Sequence, residues 1–279
     1  MIGSQSQQAS LTQRTGLALA EALLQERAGD LLLANGRIRR ISDLLIDGVH
    51  HEQLPNSIDR TRLRSPHSAT ALTVNSFLRW QGATDQLPLA GWTGFDAVQF
   101  EVRCPTGLRG TPPHLDLLAL RGEAAIAVTV RCIEYLSRRK TAVAPSYDQL
   151  LAATAGLEPW RRQLERLRTE PQRFRHVDSG ALIKFALALG RTFPERPTTL
   201  LYLYWEPLDA DQFEEFGRHR EEATELADAV RDARVIFVAQ SFAAIWRDWA
   251  ARSAPSWLAA HVDRLRARYC VRVASGKHL

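Results

Sequence analysis

The sequence predicts an α/β (α+β) protein in which a helix, a three-stranded meander and later helix–strand crossovers build a mixed sheet flanked by helices. Three observations predict it. Residues 100–136, FEVRCPTGLRGTPPHLDLLALRGEAAIAVTVRCIEYL, read as three successive strands followed by a turn into helix. Gly107, Gly110, Pro112 and Pro113 separate the first strand from the second, and Gly122 turns the second into the third. Two later segments, TLLYLYW at 199–205 and RVIFVA at 234–239, are β-rich and mostly apolar, as strands covered on both faces must be. The stretches around them carry helical periodicity instead.

Composition bounds the class. A chain of 279 residues can bury a full core, and 45% hydrophobic with 24% charged residues excludes general disorder. The net charge of +5 permits a nucleic-acid partner without requiring one. Cys104, Cys132 and Cys270 show no CxxC pairing and no histidine at zinc spacing, so reduced thiols in a cytoplasm are expected. The first residues, MIGSQSQQASLTQ, lack the basic-then-apolar pattern of a secretory signal, and no run approaches the roughly 20 apolar residues that span a bilayer. A soluble, cytoplasmic protein is the expectation.

The elements follow in order. Residues 10–33 give an amphipathic helix on Leu11, Leu17, Ala20, Leu23 and Leu24, ending near Asn35-Gly36. Residues 38–63 are polar and irregular. His50 and His51 there diverge as sequence neighbours with no third ligand in reach, so they read as solvated loop. Residues 1–65 thus form an N-terminal helical and irregular extension, and 66–279 the main domain. A helix over 66–80 turns Ala71, Leu72, Val74 and Phe77 inward; Asn75 among them is either a satisfied buried amide or a site residue.

After the meander, 132–140 starts helical and ends in the basic triplet Arg138-Arg139-Lys140. Helices at 146–157 and 159–167 lead into an arginine-rich run (Arg161, Arg162, Arg166, Arg168, Arg173, Arg175), which reads equally as a solvated face and as a phosphate contact surface. Asp178-Ser179 caps a nearly all-apolar helix to Leu189 with Gly190 as its stop, and Lys184 is its one long charge. Asp209 with Gln212 gives a capping-box-like start to a helix over 210–231. Two terminal helices, 242–252 and 255–269, place Trp246 and Trp249 as core.

Asp116 is the residue that this pattern does not explain. It stands in the otherwise apolar strand HLDLLAL, where a carboxylate must be solvated, paired or bound to a metal. Pro113-His114-Leu115-Asp116 on the second strand and Thr129-Val130-Arg131 on the third, a hairpin apart, resemble the motif of the PD-(D/E)XK nuclease superfamily, the restriction-endonuclease-like fold. Glu134-Tyr135, LLYLYWEP at 200–207, HREE at 219–222 and LRARY at 265–269 extend the likeness to a group of bacterial restriction-endonuclease-like proteins, over roughly residues 66–273.

The resemblance implies a restriction-endonuclease-like core, DNA as partner, Mg²⁺ as cofactor and phosphodiester hydrolysis. Such nucleases surround Mg²⁺ with two carboxylates and a backbone carbonyl, and a lysine orients the attacking water. Carried over, Asp116 binds the metal and Val130 offers its carbonyl. Thr129 stands where the second carboxylate belongs and Arg131 where the lysine belongs. Threonine is a poor ligand for a hard cation, and arginine holds a phosphate but cannot act as a base.

Glu101 across the antiparallel pair, or Glu134 as a displaced carboxylate, would restore the second acid, and Lys184 the lost charge. The glutamine and histidine that the family keeps around this lysine fall at Ala181 and Phe185. Each candidate has a plainer role: Glu101 pairing with Arg103 or Arg131, Asp116 with Arg131, Thr129 as an ordinary strand residue, Lys184 snorkelling to solvent. Two functions therefore stand side by side. One is a metal-dependent endonuclease using Asp116, Glu101, Glu134, Arg131 and Lys184; the other is an inactive nuclease-fold module for DNA binding or protein interaction. Losses at two different roles favour weakened or absent hydrolysis. A homodimer is left open.

Overall fold

The computed structural model describes residues 9–27, 29–137 and 141–273; the basic triplet 138–140 lies outside them. Helix α1 (Leu11–Glu26) opens on a capping box between Ser10 and Gln13. Short helices α2 (Ile41–Leu44) and α3 (Arg60–Leu63) punctuate the irregular stretch, and α4 (Ala69–Phe77) follows, capped by the Ser68 hydroxyl on the Ala71 N–H. The meander is β1 (Ala97–Arg103), β2 (His114–Arg121) and β3 (Ala124–Arg131). Helices α5 (Ser146–Ala153), α6 (Glu158–Thr169) and α7 (Ser179–Thr192) lead to β4 (Thr198–Tyr204). Then α8 (Glu214–Ala229) crosses to β5 (Val235–Ser241), and α9 (Phe242–Ala250) and α10 (Leu258–Tyr269) close the chain.

The five strands form one mixed sheet in the order β1-β2-β3-β4-β5, antiparallel through the meander and parallel from β3 to β5. Alternation along the strands makes two cores. Phe100, Leu117, Val128, Val130, Leu201 and Leu203 face α1, α4, α9 and α10; Leu118, Ala127, Leu200, Tyr202 and Phe237 face α5 to α8. Leu19, Leu23, Ile38, Leu44 and Ile46 belong to the first of these cores, so the stretch read as an N-terminal extension shares it with the sheet. Trp246 and Trp249 are buried there too. Among the described residues no helix is long and apolar enough to cross a membrane.

The alternation slips once, in the first hairpin. Val98 and Phe100 face the α4 side, whereas Val102 and Cys104 pack on the α7 side; on β2, Leu117 faces the first and Leu115 the second. The turnover falls at Glu101, whose φ of 51° is a left-handed conformation that a residue with a Cβ adopts only at a cost. Pairing is regular on both sides, Phe100 with Leu117 and Val102 with Leu115, which leaves Glu101 opposite Asp116 at the slip.

Three expectations are corrected. The helix expected over 210–231 begins only at Glu214, after a 3-10 turn (Ala210–Gln212) and an extended Phe213. Asp209 does not cap it, because its carboxylate accepts the Val273 N–H at 2.9 and 3.1 Å. Helix α7 runs through Gly190 to Thr192, where Arg234 caps it by donating to the Gly190, Phe193 and Pro194 carbonyls at 2.8, 2.9 and 2.7 Å. Asn75 resolves as a satisfied buried amide: it accepts from Ile46 N at 3.0 Å and donates to Leu44 O at 3.2 Å and Tyr269 Oη at 2.8 Å.

Asn75 therefore ties α4 to both the N-terminal stretch and α10. Replacing it with alanine strands these partners and leaves a cavity, at a cost of about 3 kcal/mol, against about 1 kcal/mol for Tyr269→Phe. Urea unfolding measures both; an Asn75→Ala loss no larger than that of Tyr269→Phe would refute this role.

Candidate functional site

The pairing between β2 and β3 ends at Leu117 with Val128. Beyond it the next inward-facing donor of the ladder, the Val130 N–H, is taken by the side chain of Asp116, which accepts it on Oδ2 at 2.7 Å. Burial pushes the Asp116 carboxyl up to about 6; Arg131 and the Val130 N–H pull it down, and Glu101 and Glu134 add to the rise. Arg131 is the cation that acts on it. Its Nη1 donates to the Val130 carbonyl at 2.7 Å and to Thr129 Oγ1 at 3.0 Å, which fixes the guanidinium at the end of β3. No ion pair within 4.0 Å joins Arg131 to Asp116 among the described residues, so the attraction acts across a gap.

The other expected site residues are engaged elsewhere. Glu134 accepts the Ala69 N–H at 3.0 Å on one oxygen and the Cys132 N–H at 2.6 Å on the other, so it anchors the first turn of α4 to the end of β3. Glu101, re-aimed by its backbone, lies 4.0 Å from His114 Nδ1. Burial raises its pKa, opposed by the charges of Arg62 and His114 and a hydrogen bond with Thr70. Lys184 stands 5.5 Å from the centre of the Tyr147 ring, a cation–π contact on the α5 side.

A divalent metal does not fit this arrangement. The Val130 carbonyl that would ligate it is held by Arg131, Glu134 has both oxygens committed, and Thr129 contributes a hydroxyl already bonded to the guanidinium. Among the described residues no three His, Cys, Asp or Glu side chains come together as a ligand set.

Arg131 also borders a cleft of about 480 Å³, with Ser65, His67, Glu134, His176 and Asp178 in its walls. Its architecture explains the remaining motif residues. Glu222 accepts the successive N–H groups of Arg175, His176 and Val177 at 2.6, 2.8 and 2.8 Å, which shapes the loop ahead of α7. His219 stacks on Tyr135 with ring centres 4.0 Å apart and lies 2.8 Å from the Tyr202 hydroxyl. Asp178 holds the loop and α7 together, accepting from Thr141 N at 3.0 Å, Thr141 Oγ1 at 2.6 Å and Ala181 N at 3.1 Å. The approach is close enough that any side chain at Gly180 would collide with the Thr141 carbonyl. At the far side His67 packs its Nδ1 against Gly16 of α1, and burial lowers its pKa.

No family model, curated protein or solved structure matches the chain. The site therefore rests on its own geometry. His67, His176 and Ser65 were not singled out from sequence; each is isolated in the chain and reaches the cleft only through the packing of α1, α4 and the loop before α7. Four arginines of the run are paired with nearby carboxylates: Arg161 with Glu158 and Glu165 at 2.9 and 2.6 Å, Arg166 with Glu225 at 3.1 Å, Arg168 with Asp148 at 2.5 Å, and Arg173 with Glu170 at 2.9 Å. These charges are spent on neighbouring carboxylates at the surface.

Because folding raises the Asp116 pKa, its ionisation opposes folding. The stability it contributes is complete below the ordinary carboxylate pKa near 4 and is lost as pH rises through about 6. Asp116→Asn keeps an acceptor for Val130 N–H and does not titrate. It should be more stable than the parent above pH 6, by at most about 3 kcal/mol, with the gain vanishing below pH 4. Chemical unfolding across pH 4–8 tests this; a difference independent of pH would contradict it.

Proposed function

We propose that the chain is a restriction-endonuclease-like module that binds nucleic acid by its phosphates and has lost metal-dependent hydrolysis. The observation that carries this reading is the guanidinium of Arg131, fixed by Thr129 and Val130 at the border of the cleft. Element order supports it: helix, meander, helices and a strand parallel to β3, with Asp116 on β2 and Thr129-Val130-Arg131 on β3. The parallel strands β3 to β5 end on the side where Arg131 stands, which is where open α/β sheets place their ligands.

The chemistry follows from the residue types. Arginine presents five donors in a rigid fork, and Nη1 alone serves its own strand, so the rest of the fork remains for a phosphate. Asp116 beside it balances the charge and orients the Val130 peptide. Arginine stays protonated, so it holds a phosphate without activating water. Nothing in this arrangement generates a nucleophile; the activity is binding.

Binding of a fluorescent DNA duplex, followed by anisotropy in EDTA and in Mg²⁺ at several salt concentrations, tests the proposal. Equal salt-sensitive affinity in both is expected, with no nicking, and Arg131→Ala should weaken binding and reduce the salt slope by about one. Magnesium-dependent nicking that is lost in Asp116→Asn, or binding indifferent to Arg131→Ala, would overturn it.

A further inference from the structure

We infer that Arg131 is a resident cation: its guanidinium holds the Val130 carbonyl and the Thr129 hydroxyl that a divalent ion beside Asp116 would need, and it shuts that ion out. The inference rests on the same residue as the nucleic-acid reading, but it concerns what the site excludes. Three contacts carry it. The Val130 carbonyl, the main-chain oxygen expected to ligate a metal, accepts Arg131 Nη1 at 2.7 Å. The Thr129 hydroxyl, the neighbouring side-chain oxygen, accepts the same nitrogen at 3.0 Å. The Asp116 carboxylate spends Oδ2 on the Val130 N–H at 2.7 Å.

A hard cation needs about six oxygens at short range, and the Val130 carbonyl, Thr129 Oγ1 and Asp116 Oδ2 here already have proton donors. An ion entering would have to break the Arg131 bonds and would meet the positive charge it displaced. The guanidinium supplies instead the two services that a metal gives such a site. It offsets the charge of a partly buried carboxylate, and it offers positive charge to a bound phosphate. Unlike a metal, it cannot be removed by a chelator and cannot lower the pKa of a bound water by coordination. Thr129 and Arg131 then act as a pair. Threonine is short enough to leave room for the guanidinium and provides the oxygen that anchors it, whereas a glutamate there would compete with Asp116 for the charge.

The pairing predicts that two substitutions open a metal site. Thr129→Glu with Arg131→Lys frees the Val130 carbonyl and supplies a second carboxylate opposite Asp116. Mn²⁺ titrated calorimetrically into the wild-type chain should show no saturable site that depends on Asp116. In the double variant it should bind one ion, roughly tenfold or more tighter than any wild-type binding, and adding Asp116→Asn should remove it. Thr129 is fully buried. If thermal melting shows that the double variant does not fold, Arg131→Ala carries the test by vacating the Val130 carbonyl alone, and it should gain Mn²⁺ binding that Asp116→Asn abolishes. Wild-type binding of Mn²⁺ that is lost in Asp116→Asn would overturn the inference, as would a folded variant that gains none. Either result leaves duplex binding in EDTA to be judged separately, and absent duplex binding would sink the nucleic-acid reading without touching the Mn²⁺ result.

Discussion

A carboxylate placed between two strands of a covered sheet has to be given a donor and a counter-charge, and this fold supplies both from the strand next door. The Val130 N–H bonds Asp116 where the β2–β3 pairing gives out, and the Arg131 guanidinium, held by the Val130 carbonyl and Thr129, supplies the positive field. One peptide unit thus serves the site from both ends. The hairpin slip at Glu101 belongs to the same arrangement. Turning β1 and β2 over between residues 100 and 102 leaves Asp116 at the discontinuity, where its side chain can reach the edge of β3 instead of a helix-covered face.

Much of the remaining polar chemistry is structural support for that corner. Glu222 and Asp178 each gather main-chain donors into the loop before α7, and His219 braces Tyr135 and Tyr202 beneath it. Arg268 clamps α10 to Glu26 at 2.6 Å and to the Leu44 carbonyl at 2.9 Å, and it is itself nearly inaccessible. Buried charges of this kind are costly to strip of one partner, so they fix the geometry of the cleft more than they add net stability.

The fold class was legible because its signals are local. Gly122 marks the tight turn between β2 and β3, the apolar runs at β4 and β5 have the length and composition of covered strands, and Asp178 caps its helix as its position suggests. What escaped depends on distant contacts. Asp209 looked like a helix cap but is claimed by Val273, far along the chain. Glu134 is a chemically suitable ligand whose oxygens are taken by Ala69 and Cys132, and only the packing of α4 against β3 reveals it. The turnover at Glu101 carries no glycine to announce it. Asp116, Thr129, Arg131 and Glu134 were visible in the sequence; their existing partners, and the cleft residues Ser65, His67 and His176, were not.

The central claim is that the Val130 carbonyl and Thr129 hydroxyl next to Asp116 are held by a guanidinium and not by an ion. Crystals soaked in Mn²⁺ and measured at a wavelength where manganese scatters anomalously address it directly. The account predicts Arg131 on the Val130 carbonyl and Thr129 hydroxyl, with no anomalous peak bonded to Asp116. A peak ligated by Asp116 and the Val130 carbonyl, with Arg131 swung aside, would contradict it.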